Sequence, residues 1–345
     1  MRIGIPREVK DGEYRVALSP SAIRNLANVV VEAGTGNGVG FSDEEYRQAG
    51  ASIGDPWECE LVVKVKELQE SEYRKPRPGQ TVFGFQHFGP HPELLDAALA
   101  SGATFIAYET VGQAGGRLPI LAPMSAIAGR LAVQVGAWCL LKQNGGSGVL
   151  LPGIEGVAPG KVVILGAGNV GSNALAVAHG IGAQVTVYAR SDKRFPALKA
   201  RYPGVEFSTE RPAIPDADLI IAGVLTPGQM SPKLVTREML RAMRRGSAFV
   251  DVGIDQGGVA ETSRPTSHSA PIYIEEGVVH YCVPNMPAAC ARTASLALEA
   301  AVLPFVLKIL KNQIDADLAT GIQVRAGKVA HEHLARDTGR AYSRL

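Results

Sequence analysis

The chain has 345 residues and a formal net charge of +2 at pH 7, too little charge to specify a nucleic acid or polyanion, so a small-molecule partner is expected. Hydrophobic residues make up 46% and charged residues 20%, which excludes disorder and supplies material for two α/β cores. Cys59, Cys139, Cys282 and Cys290 are widely spaced without a Cys-x-x-Cys pair, against both a zinc knot and a disulfide framework.

Met1-Arg2-Ile3-Gly4-Ile5 starts at once as a strand, not as a signal peptide, and no apolar stretch is expected to reach the roughly 20 residues of a membrane span. A cytoplasmic protein is expected. Strand-like runs follow at 3–6, 29–32, 61–65, 82–85 and 104–107, interleaved with helices opened by Ser19-Pro20 and Pro92. This series predicts one α/β unit of about 120 residues. From Pro123 a helical pattern carries Ile127, Leu131, Val135 and Leu140 into Asn144-Gly145-Gly146-Ser147-Gly148, and joins two domains. A second α/β series places strands at 162–165, 184–188, 219–222, 248–252 and 280–283.

After Asn285 the pattern is helical through Leu296, Leu298, Val302, Phe305 and Ile309 and does not return to strands. Such a tail packs back on the first domain. The expected division is therefore 1–120 plus 293–345 for a substrate domain and 121–292 for a dinucleotide domain. His331 and His333 stand two apart, on different faces of a solvated helix, so no metal site is expected.

Gly166-Ala167-Gly168-Asn169-Val170-Gly171 directly follows the apolar strand Lys161-Val162-Val163-Ile164-Leu165, and a helical run from Asn173 to His179 leads to a second strand. In that context the glycines read as a dinucleotide turn. Gly166 permits the bend, Gly168 the approach of a pyrophosphate, and Gly171 close helix packing, with the helix N-terminus facing the phosphates. The second strand ends in Val187-Tyr188-Ala189-Arg190-Ser191-Asp192-Lys193-Arg194, with no carboxylate where an NAD site normally has one. NADP is the expected cofactor, with Arg190 and Ser191 at its 2′-phosphate, and NAD the alternative if this loop is merely a solvated basic one.

Glu13-Tyr14-Arg15-Val16-Ala17-Leu18-Ser19-Pro20, Lys64-Val65-Lys66-Glu67, Ala107-Tyr108-Glu109-Thr110, Ala122-Pro123-Met124-Ser125 with Ala128-Gly129-Arg130, residues 251–258 around Ile254-Asp255-Gln256-Gly257-Gly258, and Asn285-Met286-Pro287 together resemble the alanine dehydrogenase and nicotinamide nucleotide transhydrogenase family over nearly the whole chain. The resemblance implies two Rossmann-like, doubly wound α/β domains with the active site in the cleft between them, commonly assembled as a hexamer. It also implies reversible oxidative deamination of an L-amino acid, alanine or a larger relative, to a 2-oxo acid and ammonia.

Within that reading Arg15 is suited to a substrate carboxylate and Lys66 to the carboxylate or the 2-oxo group. His87 is the general acid/base. Asp255 orients water or ammonia, or holds the nicotinamide ribose, and Ser125, Val224, Leu225 and Asn285 match positions lining the cofactor. Singly, Arg15 and Lys66 read as surface charges, His87 as a core histidine and Asp255 as a turn residue. The sequence departs from the family at Leu68, at Gln86 and Phe88-Gly89-Pro90, at Ala189-Arg190, at Pro284 and at Arg292-Thr293-Ala294-Ser295, which implies a diverged pocket and coenzyme loop. Alternatives are a reductase joining an amine to a 2-oxo acid, like the carboxyethyl-ornithine and saccharopine-type enzymes, a transhydrogenase-like subunit of a membrane assembly, and a non-catalytic nucleotide sensor.

Overall fold

The computed structural model describes residues 1–112, 116–210, 212–224 and 230–344. In chain order the strands are β1 (Ile3–Ile5), β2 (Val29–Val31), β3 (Ser52–Ile53), β4 (Leu61–Val63), β5 (Thr81–Gly84), β6 (Thr104–Ala107), β7 (Lys161–Leu165) and β8 (Gln184–Tyr188). They continue with β9 (Glu206–Ser208), β10 (Leu219–Ala222), β11 (Ala248–Asp251), β12 (Ile272–Glu275), β13 (Val278–Tyr281), β14 (Ile322–Arg325) and β15 (Lys328–Val329). Continuous apolar runs such as Val29-Val30-Val31 and Leu61-Val62-Val63 are too short for helices and too uniformly apolar for a one-faced sheet. They fit parallel strands covered on both faces, and β1, β4 and β10 are buried at every position.

Two compact units result, residues 1–124 with 290–345, and residues 125–289. The first holds the eight-stranded sheet β3-β2-β1-β4-β5-β6-β14-β15, parallel from β3 to β6. The second holds the seven-stranded sheet β9-β8-β7-β10-β11-β13-β12, parallel except for its β12 edge. Each begins third-second-first-fourth-fifth, the doubly wound Rossmann-like order, which reverses direction beside the first strand. Ligands of such sheets bind outside the strand carboxyl ends at that reversal.

Two expectations are corrected. The chain after Asn285 does return to strands: β14 pairs antiparallel with β6 and turns back into β15. The hairpin turns on Ala326 (φ 48°) and Gly327 (φ 75°), both left-handed as a two-residue turn of this kind requires. Ala-Gly lacks the Asn-Gly signature, so the hairpin was invisible. The same device at Glu276 (φ 52°) and Gly277 (φ 78°) joins β12 to β13 and starts β13 two residues before the expected 280–283.

The second correction concerns length and apolarity. Among the described residues one helical segment, Met286–Leu310, meets the length and composition of a membrane span. Arg292, Glu299, Pro304 and Lys308 interrupt its apolar run and hide its overall apolarity in the sequence. Its stripe Ala294, Leu298, Val302, Val306 is buried at helical spacing. On that side the Ser295 hydroxyl accepts the Val16 N–H at 3.0 Å and the Glu299 carboxylate accepts the Ser19 N–H at 2.7 Å, so one face of the helix Ala291–Leu310 packs into the first unit.

Candidate active site

In the first unit the direction reversal lies between β1 and β4. The loops leaving the carboxyl ends of β1, β4 and β5 carry Arg15, Lys66 and His87 respectively, so three residues that look unrelated in sequence share one sheet edge. Residues 7–15 with Gly34, Thr35, Asn37 and Gly38 line a cavity of about 590 Å³. Arg15 is 2% exposed. Its Nε and Nη2 donate to the two oxygens of Glu13 at 2.7 and 2.6 Å, and Nη1 points at the Met124 sulfur at 3.2 Å. One edge of the guanidinium fork thus holds a protein carboxylate, a partner the sequence reading had not given it.

Behind this loop Lys64 is fully buried between Glu8, at 3.2 Å, and Glu72, at 3.0 Å. Burial raises the Glu8 carboxyl against the pull of Lys64, with Glu13 and Glu72 adding to the rise. The Glu8 Oε1 accepts the Val65 N–H at 2.6 Å and the Lys66 N–H at 3.3 Å, fixing the backbone from which Lys66 projects. Lys66 is buried, with Nζ 3.2 Å from Glu67 Oε2 and 5.8 Å from the Phe85 ring centroid. Burial alone would raise the Glu67 carboxyl, but Lys66 above all, then His87 and Lys10, hold it well below the usual carboxylate range.

His87 stacks on Phe85 with ring centroids 5.6 Å apart and planes 1° from parallel. Phe85 therefore carries both the Lys66 ammonium and the His87 imidazole, which brings two predicted residues together. The His87 backbone is left-handed, φ 47°, and its N–H donates to Glu109 Oε1 at 2.7 Å. Glu109 stands in the block Ala107-Tyr108-Glu109-Thr110, where nothing in the sequence marks a role for it. The buried Tyr108 hydroxyl, packed on Phe83 and Phe85, has no hydrogen-bond partner among the described residues.

In the second unit the glycine turn leaves β7 beside the reversal. Gly166 has φ 104°, and a Cβ on Gly171 would stand 1.7 Å from the Gly166 carbonyl oxygen. A Cβ on Gly168 would meet nothing within 4 Å among the described residues, so the turn presents open backbone ahead of the helix Asn169–Gly180. That is the cradle a pyrophosphate needs, and the site fits a dinucleotide. Ala167, Asn169 and Val170 complete the turn, and Val224, after β10, lies 3.5 Å from where a Gly166 Cβ would be. Leu225 lies outside the described residues.

Past β8, Ala189 N–H is tied to Ser208 O at 3.1 Å, so the position without a carboxylate is held at the strand end. Arg190 and Ser191 are exposed, and the Ser191 hydroxyl accepts the Lys193 N–H at 3.3 Å. Arg194 reaches back to the Ala167 carbonyl at 3.2 Å. Asp255 is exposed on the short helical turn Ile254–Gln256. The loop after it is gripped by the Lys233 ammonium, which donates to the carbonyls of Gly257, Gly258 and Ala260 at 2.6, 2.9 and 3.0 Å. Nothing in the sequence marked Lys233, because its partners are backbone atoms. Ser125 is half-buried in the helix Leu121–Cys139, and Asn285 is half-buried with φ 55°.

Among the described residues no group of three His, Cys, Asp or Glu could hold a metal ion. His331 precedes the helix Glu332–Thr338 and does not lie on it, and its Nδ1 accepts the Leu334 N–H at 3.3 Å as a cap.

Residues 4–128 match the family described as alanine dehydrogenase/PNT, N-terminal domain, and residues 132–332 the alanine dehydrogenase/PNT, C-terminal domain. The chain is 47% identical to the alanine dehydrogenase of Halomonas elongata, over 99% of this chain and 98% of that one. It superposes on a solved L-alanine dehydrogenase with a TM-score of 0.95 and 43% identity, covering 98% of this chain and 99% of the other. A solved transhydrogenase from Sinorhizobium meliloti aligns with a TM-score of 0.81 and 28% identity, over 96% and 99% of the two chains.

Proposed function

The chain belongs to the alanine dehydrogenase/PNT family and is an oxidoreductase acting on CH–NH2 groups, and from that premise we propose that it interconverts a small L-amino acid with its 2-oxo acid and ammonia, preferring NADP(H). The observation that carries the reading is the pairing of the Lys66 ammonium and the His87 imidazole about Phe85. A cation for the carboxylate or 2-oxo group and a group that titrates near neutrality are what this reaction asks of the chain.

The nicotinamide, when bound, supplies the hydride acceptor. Residues 166–171 would hold its pyrophosphate, and Ser125, Val224 and Asn285 would line the remainder. Arg15 meets the substrate carboxylate through its Nη1–Nη2 edge, while Glu13 keeps the guanidinium aligned. Lys66 draws electron density from the 2-oxo oxygen. His87 accepts a proton when the amino acid is oxidised and returns one in the reverse direction. Asp255 orients the attacking water or ammonia, or holds the nicotinamide ribose.

The test is oxidation of NADPH and NADH with a panel of 2-oxo acids and ammonia, then with primary amines. Turnover with ammonia is expected. Turnover only with a primary amine would overturn the proposal in favour of an imine reductase joining two substrates. Arg15→Lys should raise the KM for the 2-oxo acid about tenfold or more, because an ammonium cannot reproduce the two-pronged contact, and leave coenzyme affinity unchanged. An unaltered KM and rate would remove Arg15 from the substrate site.

We propose further that the protein works in the cytoplasm as a homo-oligomer, a hexamer by family resemblance. Apolar side chains left in solvent support self-association: Ile154 and Val157 are 67% and 60% exposed in one unit, and Leu296 and Leu307 lie on the outer side of the long helix in the other. Sedimentation should give a multiple of 36.3 kDa. A monomer at every concentration would contradict it.

A further inference from the structure

We infer that Glu109 is a positioning residue for His87, holding the backbone turn that presents the ring and standing as the counter-ion of its imidazolium. The inference rests on His87 being the proton-transfer group of the proposed reaction. A residue with a side chain avoids the left-handed region unless its surroundings enforce it, and His87 sits there with φ 47°. The enforcement is visible. One carboxylate accepts the Gln86 N–H with both oxygens at 3.2 Å and the His87 N–H at 2.7 Å. Bonds of amides to an anion are stronger than bonds to a neutral acceptor, and two consecutive N–H groups on one carboxylate fix the chain at the point where β5 ends.

The same oxygen that takes the His87 N–H lies 3.8 Å from Nδ1, beyond a hydrogen bond but within reach of an ion pair. Phe85 stacks on the same ring, its plane parallel to the imidazole. The charged groups facing this histidine are Glu109 from the segment after β6, Glu67 from the segment after β4, and Lys66 above the shared Phe85 ring. His331 is a further group within electrostatic reach of Glu109. Glu67 also feels His87 but is in ion pairs with Lys66 and Lys10, whereas Glu109 meets His87 through both its backbone N–H and its ring.

The sign of the effect follows. A neighbouring anion favours the protonated ring, so removing its charge makes the ring lose its proton at lower pH. Oxidation of the amino acid needs the neutral ring, and its rising limb should move to lower pH. Reduction of the 2-oxo acid needs the protonated ring, and its falling limb should move the same way.

The experiment compares Glu109→Gln and Glu109→Asp with the unmodified enzyme, following His87 by NMR titration of isotopically labelled histidine beside steady-state rates in both directions. Glutamine keeps an acceptor for the two N–H groups and loses the charge. It should shift the His87 midpoint down by about half a unit to one unit and lower turnover about tenfold, with coenzyme binding unchanged. Aspartate keeps the charge on a shorter arm, so its midpoint should stay near the original while its turnover falls. An unmoved His87 midpoint in Glu109→Gln overturns the counter-ion role, and full turnover in both variants overturns the positioning role. Normal turnover in His87→Ala would instead sink the catalytic reading of His87 while leaving the titration result standing, so the two failures are distinguishable.

Discussion

His87→Ala lowers turnover with the 2-oxo acid by about a hundredfold or more, the amount a positioned proton-transfer group typically contributes. The measurement is steady-state kcat in both directions, with coenzyme affinity measured separately. Because the backbone at His87 is left-handed, alanine at this position also meets a conformational penalty. His87→Asn separates the two effects, since asparagine tolerates the left-handed region better than most residues yet cannot replace imidazole in proton transfer. Both variants should lose comparable activity, and the asparagine variant should be the more stable. Near-native turnover in either one would remove His87 from the chemistry.

NADPH is expected to be used with about tenfold to hundredfold higher efficiency than NADH, the worth of roughly 1.5 to 3 kcal/mol from a charge-assisted contact. Ala189 offers no carboxylate to repel a 2′-phosphate, and its backbone is fixed by Ser208. Arg190 is exposed beside it, and its planar fork suits a phosphate. Arg194 differs, having one arm on the Ala167 carbonyl, so it adds potential at the mouth of the turn more than a second fork. The preference should narrow as salt rises, because solvent ions screen an exposed guanidinium. The double substitution Ala189→Asp with Arg190→Ile should reverse it. Equal or better efficiency with NADH in the unmodified protein would show that this loop does not discriminate between the coenzymes.

Much of the fold could be read from the sequence because parallel strands buried on both faces leave unbroken apolar runs, as at 61–65 and 219–222. The short edge strands β3 and β9 escaped that reading, since Ser52 and Glu206 face solvent and interrupt any run. The terminal hairpin escaped it because Ala326 occupies a conformation its side chain does not advertise. At the candidate site the residues with conspicuous chemistry, Arg15, Lys66 and His87, stood out through the family resemblance. Their supports did not. Glu13, Glu109 and Lys233 act on backbone amides, carbonyls or a neighbour's fork, contacts that leave no spacing rule in a sequence.

The pairing of β14 with β6 bears on how the molecule comes into being. Residues 322–325 supply the neighbour of a strand that ends at residue 107, and the whole unit 125–289 is synthesised in between. Chain closure over so long an interval is entropically late, whereas the inserted unit draws every strand of its sheet from one contiguous stretch. On the ribosome the inserted unit is therefore complete while the first unit still has an open β6 edge, and exposed edges of that kind invite association with other chains. The last two dozen residues, far from any catalytic group in sequence, are what seal it.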